Sequence, residues 1–251
     1  MTQLHDRALL LHGAKRNRVL TLAEVEQYGL DSFADADYVR IYGMPPREWY
    51  GRGIRLLGRT AVECTRDGLA DLIGRDVARR RPLSTRYVVI DPFAGSCNTL
   101  YWILKHVPNS EGMAFELDPQ AFELSSRNIA LLDRAIDLTQ GDYETLLADR
   151  QVAADASLIV FVAPPWGTAL DETSGLDLSA TQPPITHVID WFGRKFAEHA
   201  ILFAIQVYET ISASSLEKVQ GLMDWSELCV YDINVAGRNH GILLGARAAQ
   251  S

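Results

Sequence analysis

Residues 87–99 read Tyr87-Val88-Val89-Ile90-Asp91-Pro92-Phe93-Ala94-Gly95-Ser96-Cys97-Asn98-Thr99, and they decide the fold. Tyr87 to Ile90 is a short continuous apolar run rich in β-branched residues, the pattern of a strand covered on both faces. Gly95 follows in a tight turn where backbone can approach a ligand closely, and a helix opens near Leu100. Comparable runs recur downstream at Met113-Ala114-Phe115, Leu158 to Val162, Ile201 to Ile205, Leu228 to Tyr231 and Ile242 to Leu244, with a weaker one around Leu138-Thr139. Residues 119–132 and 185–198 read as helices between them, the first opened by Asp118 as N-cap and Pro119 at the first helical position. This alternation predicts an α/β fold: a doubly wound, mostly parallel seven-stranded sheet with helices on both faces. The Gly-rich turn Ala236-Gly237-Arg238-Asn239-His240-Gly241 makes the last two strands an antiparallel hairpin.

Upstream, Arg79-Arg80-Arg81-Pro82 marks a boundary, because proline stops a helix. Residues 1–80 are expected to form a small, mainly helical N-terminal extension that faces the substrate, and residues 81–251 the main domain. Leu22 to Gln27 and Gly58 to Arg80 have helical periodicity. Between them lies a loop-rich stretch with Gly43, Met44, Pro45, Pro46, Trp49, Tyr50, Gly51 and Gly53.

Composition narrows the classes. The 251 residues are 47% apolar and 22% charged, which excludes a disordered chain. No run approaches the length of a membrane-spanning helix. The apolar Ala8 to Leu11 precede Lys15, Arg16 and Arg18, the reverse of a secretory signal. Cys64, Cys97 and Cys229 lie far apart with no C-x-x-C pair, so neither a disulfide framework nor a metal site is expected, and a cytoplasmic location is. The net charge of -8 hides an asymmetry: residues 1–86 hold 15 Lys+Arg and 11 Asp+Glu, a net of +4, leaving 9 and 21, a net of -12, for the rest. Any anionic partner is expected on the N-terminal part, where the arginines from Arg40 to Arg86 are free to meet it.

In an open parallel sheet, ligands bind outside the carboxyl ends of the strands, near the point where strand order reverses. Residues just after each strand are therefore the candidates. Asp91 to Thr99 follow the first, Glu116 and Asp118 the second, Gly141-Asp142-Tyr143 the third, and Ala163-Pro164-Pro165-Trp166-Gly167 the fourth. The Asp91 segment is neither G-x-G-x-x-G nor a Walker loop, so a phosphate cradle does not fit. Glu116 stands at a spacing that suits an acid accepting both hydroxyls of a ribose. Asp142 suits an adenine amino group. Each also has a plain structural reading: Glu116 as a solvated strand-end acid, Asp142 as a turn former, Trp166 as a packing residue, Pro164-Pro165 as a strand stop. Their order on successive strand ends is what favours a site.

That series resembles the class I S-adenosylmethionine-dependent methyltransferases over roughly residues 58–245. The Pro164-Pro165-Trp166-Gly167 run is most similar to the trimethylguanosine synthase family, which methylates the exocyclic N2 of a guanine cap. The Asp91-to-Ser96 run also resembles amino-methyltransferases acting on DNA and ribosomal RNA. The resemblance implies S-adenosyl-L-methionine as cofactor, with Asp91, Phe93 and Gly95 along its methionine half, Glu116 on its ribose and Asp142 on its adenine. Ala94, Asn98, Thr99, Leu117, Tyr143 and Ala163 join this cofactor-binding set as their neighbours. Carbonyls of Ala163 and Pro164 are implied to receive the target amine, and Trp166, flanked by Pro165 and Gly167, to stack on the acceptor. Two positions depart from the pattern. Cys97 replaces a second glycine and reads as a packing residue or as a thiol near the sulfonium. Ala163 stands where Asn, Asp or Ser is usual, leaving the backbone to position an amine. The acceptor is then a planar nitrogen heterocycle, such as a guanine-type base of a nucleotide or RNA, or else a small molecule of a biosynthetic pathway. Retention of the fold as a non-catalytic binding module is a third reading. Should a carbon or hydroxyl be methylated, a base is needed. Asp171, Glu172, Asp177, His187 and Tyr208 lie near the later strand ends, His187 reading as an ordinary helix residue.

Overall fold

A computed structural model describes residues 5–171, 173–233 and 239–250. In chain order the elements are α1 (His5–Leu11), α2 (Leu22–Phe33), α3 (Pro46–Gly51), α4 (Gly58–Glu63), α5 (Asp67–Arg80), β1 (Arg86–Asp91), α6 (Asn98–His106), β2 (Ser110–Glu116), α7 (Pro119–Ile129), β3 (Ile136–Gln140), α8 (Tyr143–Leu147) and β4 (Ala156–Val162). A two-stranded ribbon follows, β5 (Leu170–Asp171) and β6 (Gly175–Leu176), then α9 (Ile185–Lys195), β7 (Ile201–Tyr208), α10 (Ala213–Gln220), β8 (Trp225–Tyr231) and β9 (His240–Arg247).

The main sheet has seven strands in the order β3-β2-β1-β4-β7-β9-β8. Six strands point the same way, and β9 alone is reversed, antiparallel to both β7 and β8. The fold is thus the doubly wound sheet with a terminal hairpin that the apolar runs predict, although residues 234–238 of the expected turn lie outside the described residues. Order reverses between β1 and β4, so the crevice for a ligand opens at their carboxyl ends.

Side chains alternate across the strands into two cores. Val88 and Ile90 face the layer with Val188, Ile189 and Phe192 of α9, while Tyr87 and Val89 face Leu69, Ile73 and Val77 of α5 and Leu100 and Ile103 of α6. Helices α5 and α6 approach closely at Gly74, where a Cβ would lie 2.8 Å from Trp102 O. A third core, around Trp49, Tyr28, Ile41 and Leu20, fills the N-terminal part and reaches Tyr101 of α6.

Three sequence expectations are corrected. The single helix from Gly58 to Arg80 is two helices, because Asn98 Nδ2 donates to Thr65 O (2.7 Å) and Asp67 N donates to Arg40 O (3.0 Å), holding residues 64–66 out of a helix. The helix over 119–132 stops at Ile129, with Leu131 N and Leu132 N in reverse-turn bonds to Asn128 O and Ile129 O. The helix over 185–198 stops at Lys195.

Candidate functional site at the carboxyl ends of β1, β2 and β4

Ladder pairing of β1 with β2 and β4 brings three sequence-distant strand ends together. Asp91 closes β1, is 2% exposed, and accepts the N–H of Phe93 at 3.1 Å. Burial is the main cause that raises its carboxyl to about 7, against that one bond, with the Glu116 charge adding to the rise. The chain then turns through Gly95, whose φ of +48° lies in the left-handed region. A Cβ built there meets nothing within 4 Å, so the turn borders open space.

Glu116, at the end of β2, fixes this turn from the neighbouring strand. Its Oε2 accepts Gly95 N–H at 2.9 Å and its Oε1 accepts Asp118 N–H at 2.8 Å. Each oxygen keeps one further lone pair, which is what a vicinal diol needs. Burial raises the Glu116 carboxyl, opposed by those two bonds. Ser125 of α7 donates to Gly95 O (2.6 Å), pinning the turn from below.

The turn is also braced by residues the sequence reading did not single out. Tyr42 N donates to Asn98 Oδ1 (2.7 Å), and Tyr42 OH donates to Ser96 O. Asp67, 7% exposed, accepts from Gly43 N (3.0 Å), Asn98 Nδ2 (3.2 Å) and Trp102 Nε1 (2.7 Å). The Asn98 side chain is therefore engaged with the N-terminal part, and Thr99 is buried beside it. No local spacing signals this brace, since Tyr42 and Asn98 lie 56 positions apart.

Cys97 sits fully buried in the core with Ala94 and Leu100, at φ +59°. Burial pushes its thiol well above the ordinary range, so it is a neutral packing group in a conformation glycine would adopt more easily. Leu117 is 71% exposed. Asp142 caps α8, accepting Thr145 N–H at 3.1 Å, which is the turn-forming role open to it. Tyr143 is buried, edge-on to Phe93 at 5.6 Å and stacked on Phe192.

After β4, Ala163 is half-buried, Pro164 buried and Pro165 exposed. Gly167, exposed, has φ +49°. Trp166 stacks on His240 (centroids 5.6 Å, interplanar 17°) and meets Tyr208 edge-on at 6.3 Å. His240 escaped the sequence reading because only residues following strands were considered. An antiparallel strand delivers its first residue to the same edge, and Tyr208 pairs with His240 in register.

The remaining candidates are accounted for locally. Asp171 accepts from Thr173 N, Ser174 N and Ser174 Oγ, which hold its carboxyl below the ordinary range. Asp177 accepts Ser179 N–H. His187 lies 2.7 Å from Glu144 Oε1. Glu172 lies outside the described residues. The arginines expected to be free are largely paired: Arg47 with Glu26, Arg52 with Glu48, Arg59 with Asp118, Arg75 with Asp71, Arg79 and Arg80 with Asp76, and Arg86 with Glu111. Acids at helical spacing engage Arg52, Arg75, Arg79 and Arg80, and acids beyond residue 86 engage Arg59 and Arg86. Among the described residues, no helix is long and apolar enough to cross a membrane, and no three His, Cys, Asp or Glu side chains are grouped to hold a metal ion.

No protein-family model matches the sequence, and no curated protein matches it. Among solved structures the chain is similar to precorrin-6y C5,15-methyltransferase from Geobacter metallireducens, at 14% identity over 74% of this chain and 90% of that one, TM-score 0.48. It is also similar to a methyltransferase from Geobacter sulfurreducens (15% identity, 74% and 81% covered, TM-score 0.44). A third is the N-terminal domain of human METTL16 in complex with SAH (12%, 68% and 66%, TM-score 0.46). The fold assignment rests on the strand order itself, and the seven-stranded sheet with its reversed last strand is the architecture of this chain.

Proposed function

We propose that the chain is an S-adenosylmethionine-dependent methyltransferase acting on a planar, nitrogen-containing acceptor, such as a guanine-type base of a nucleotide or RNA. The observation that carries this is the joint geometry of Gly95 and Glu116: an open turn at the strand-order reversal, held by an acid with capacity left for a diol. These residues fit the cofactor. Glu116 would take the ribose hydroxyls and the Asp91–Gly95 turn the methionine end, with Phe93 and Tyr143 as apolar neighbours. When bound, the cofactor supplies a methyl group on a sulfonium, open to in-line displacement.

The chain's own part is binding, orientation and exclusion of water. Asp91, buried at the turn, presents a carboxylate to a cationic ligand. The carbonyls of Ala163 and Pro164 would orient an amine, which can shed its proton after attack. Trp166, with Tyr208 edge-on and His240 over one face, gives a planar acceptor an aromatic wall. The likeness to trimethylguanosine synthase rests on residues 163–167 and belongs to this proposal. A small-molecule acceptor is favoured instead by the carboxylates that already pair with Arg47, Arg52, Arg75 and Arg80, since a phosphate backbone would have to compete with them. Methyl transfer onto RNA and onto metabolite pools, each measured against salt, separates the two. RNA methylation falls steeply with salt through counterion release, whereas a flat response excludes long nucleic acids.

Two expected outcomes follow. Trp166→Ala lowers kcat/KM for the acceptor by about 10- to 100-fold, from roughly 1–3 kcal/mol of stacking, and leaves S-adenosylhomocysteine affinity unchanged. Equal loss of cofactor affinity would remove Trp166 from the acceptor side. Asp91 gives the second. Its folded carboxyl, raised to about 7 from 3.8, favours the ligand-free fold below the unfolded value, and that contribution is lost as pH rises through about 7. A cationic ligand prefers the ionised acid, so affinity should rise with pH through this window and binding should release a proton below it. Calorimetry in two buffers of different ionisation enthalpy reads that proton. A pH-independent affinity with no proton released would exclude the role.

A further inference from the structure

We propose that Arg59, carried by the N-terminal part, is a positioning residue that keeps Glu116 ionised, so that docking of this part sets affinity for the nucleoside half of the cofactor. The inference rests on the reading of Glu116 given above.

Arg59 lies on α4, outside the α/β sheet, yet its guanidinium reaches the loop after β2. Arg59 Nη2 is 2.5 Å from Asp118 Oδ1, and the Arg59 side chain is only 14% exposed. Its Nε and Nη2 are both shut from solvent without a hydrogen bond, so the cation is held by position and by the charge of Asp118. Backbone bonds fix that position: Gly58 N donates to Arg18 O and Arg59 N to Arg16 O, both at 3.0 Å. On the other side, Asn128 of α7 accepts from Arg55 N (3.0 Å) and donates to Arg55 O (2.7 Å). The N-terminal chain is thus clamped along α7, whose N-terminus carries Asp118.

This cation pairs with Asp118 at the cap of α7, whose N–H is bonded to Glu116 Oε1 of β2 at 2.8 Å, and its charge also acts on Glu63 of its own helix, α4. Burial raises both Glu63 and Glu116, each further raised by a neighbouring acid, and Arg59 lowers all three. Arg16 and His12 also face Glu63, and Asp91 faces Glu116 from β1. Neighbouring acids disfavour one another's ionised forms and a nearby cation favours them, so loss of Arg59 would shift Glu116 toward its protonated form. A protonated Glu116 is a poor acceptor for two hydroxyls and a weaker one for Gly95 N–H, so the loss would fall on the ribose and on the turn together.

The test is calorimetric titration of the full chain with 5′-methylthioadenosine, from about pH 5 to about pH 8. This probe carries the diol and adenine without the ammonium group that Asp91 would read. Affinity of the wild type should fall on the acid side as Glu116 takes a proton. Arg59→Gln should move that limb to higher pH, with weaker binding at a fixed pH on the limb and the plateau little changed. Arg59→Lys should restore most of it. Glu63→Gln, which removes a like charge and spares the helix, should move the limb to lower pH. Unmoved limbs in both Arg59→Gln and Glu63→Gln, or a uniform loss at every pH, would overturn the role of Arg59 while leaving the cofactor reading intact. A wild type that binds neither methylthioadenosine nor S-adenosylhomocysteine would overturn that reading, and this inference with it.

Discussion

Glu116→Ala is expected to weaken S-adenosylhomocysteine binding by about a hundredfold or more. Two hydroxyl bonds to a carboxylate contribute roughly 1.5–3 kcal/mol each, so their loss amounts to at least about 3 kcal/mol. The same substitution removes the acceptor of Gly95 N–H and Asp118 N–H, loosening the turn that borders the site. Glu116→Gln keeps the shape and one acceptor oxygen, and should lose less. Calorimetry on both variants, with melting curves to show that each folds, checks the result. An affinity unchanged in Glu116→Ala would mean that the ribose lies elsewhere.

The second large effect is on stability. Trp49 is 0% exposed at the centre of the N-terminal core, and its Nε1 donates to Val39 O at 2.9 Å. Trp49→Ala removes a large buried side chain and orphans a carbonyl, at a cost of about 3–5 kcal/mol. For a chain of this length that lowers the melting temperature by about 10 °C. Because Tyr42 belongs to the same core and bonds the Asn98 side chain and Ser96 O, cofactor affinity should fall with it. A melting point within a degree or two of wild type would show that the N-terminal core is not a cooperative part of the fold.

The strands of the sheet were legible because their burial on both faces leaves an uninterrupted apolar run, as in Leu158 to Val162, buried throughout. The weaker run at Leu138-Thr139 is β3, an edge strand with polar positions, and its faint signal has that cause. Boundaries failed where a distant group competes for the backbone. Asn98 and Arg40 break the helix expected over Gly58 to Arg80, and neither is visible from inside that window.

The candidate site divides in the same way. Asp91 and Glu116 close β1 and β2, Gly95 lies in the turn after β1, and parallel pairing of the two strands must bring them together. Arg47, Arg59 and Arg86 pair with acids distant in sequence, which is why these arginines read as free and prove engaged. The Tyr42–Asn98–Asp67 brace and the placing of Arg59 beside Asp118 depend on how the N-terminal part docks, which no periodicity encodes. His240 was hidden by strand direction: its register partner Tyr208 ends a parallel strand, whereas His240 begins an antiparallel one.

A crystal structure of the full chain with S-adenosylhomocysteine tests the central claim most directly. The account requires the ribose hydroxyls on the two oxygens of Glu116, and the amino-acid end beside Gly95 and Asp91. A nucleoside bound away from the carboxyl ends of β1 and β2, or no binding at saturating ligand, would contradict it.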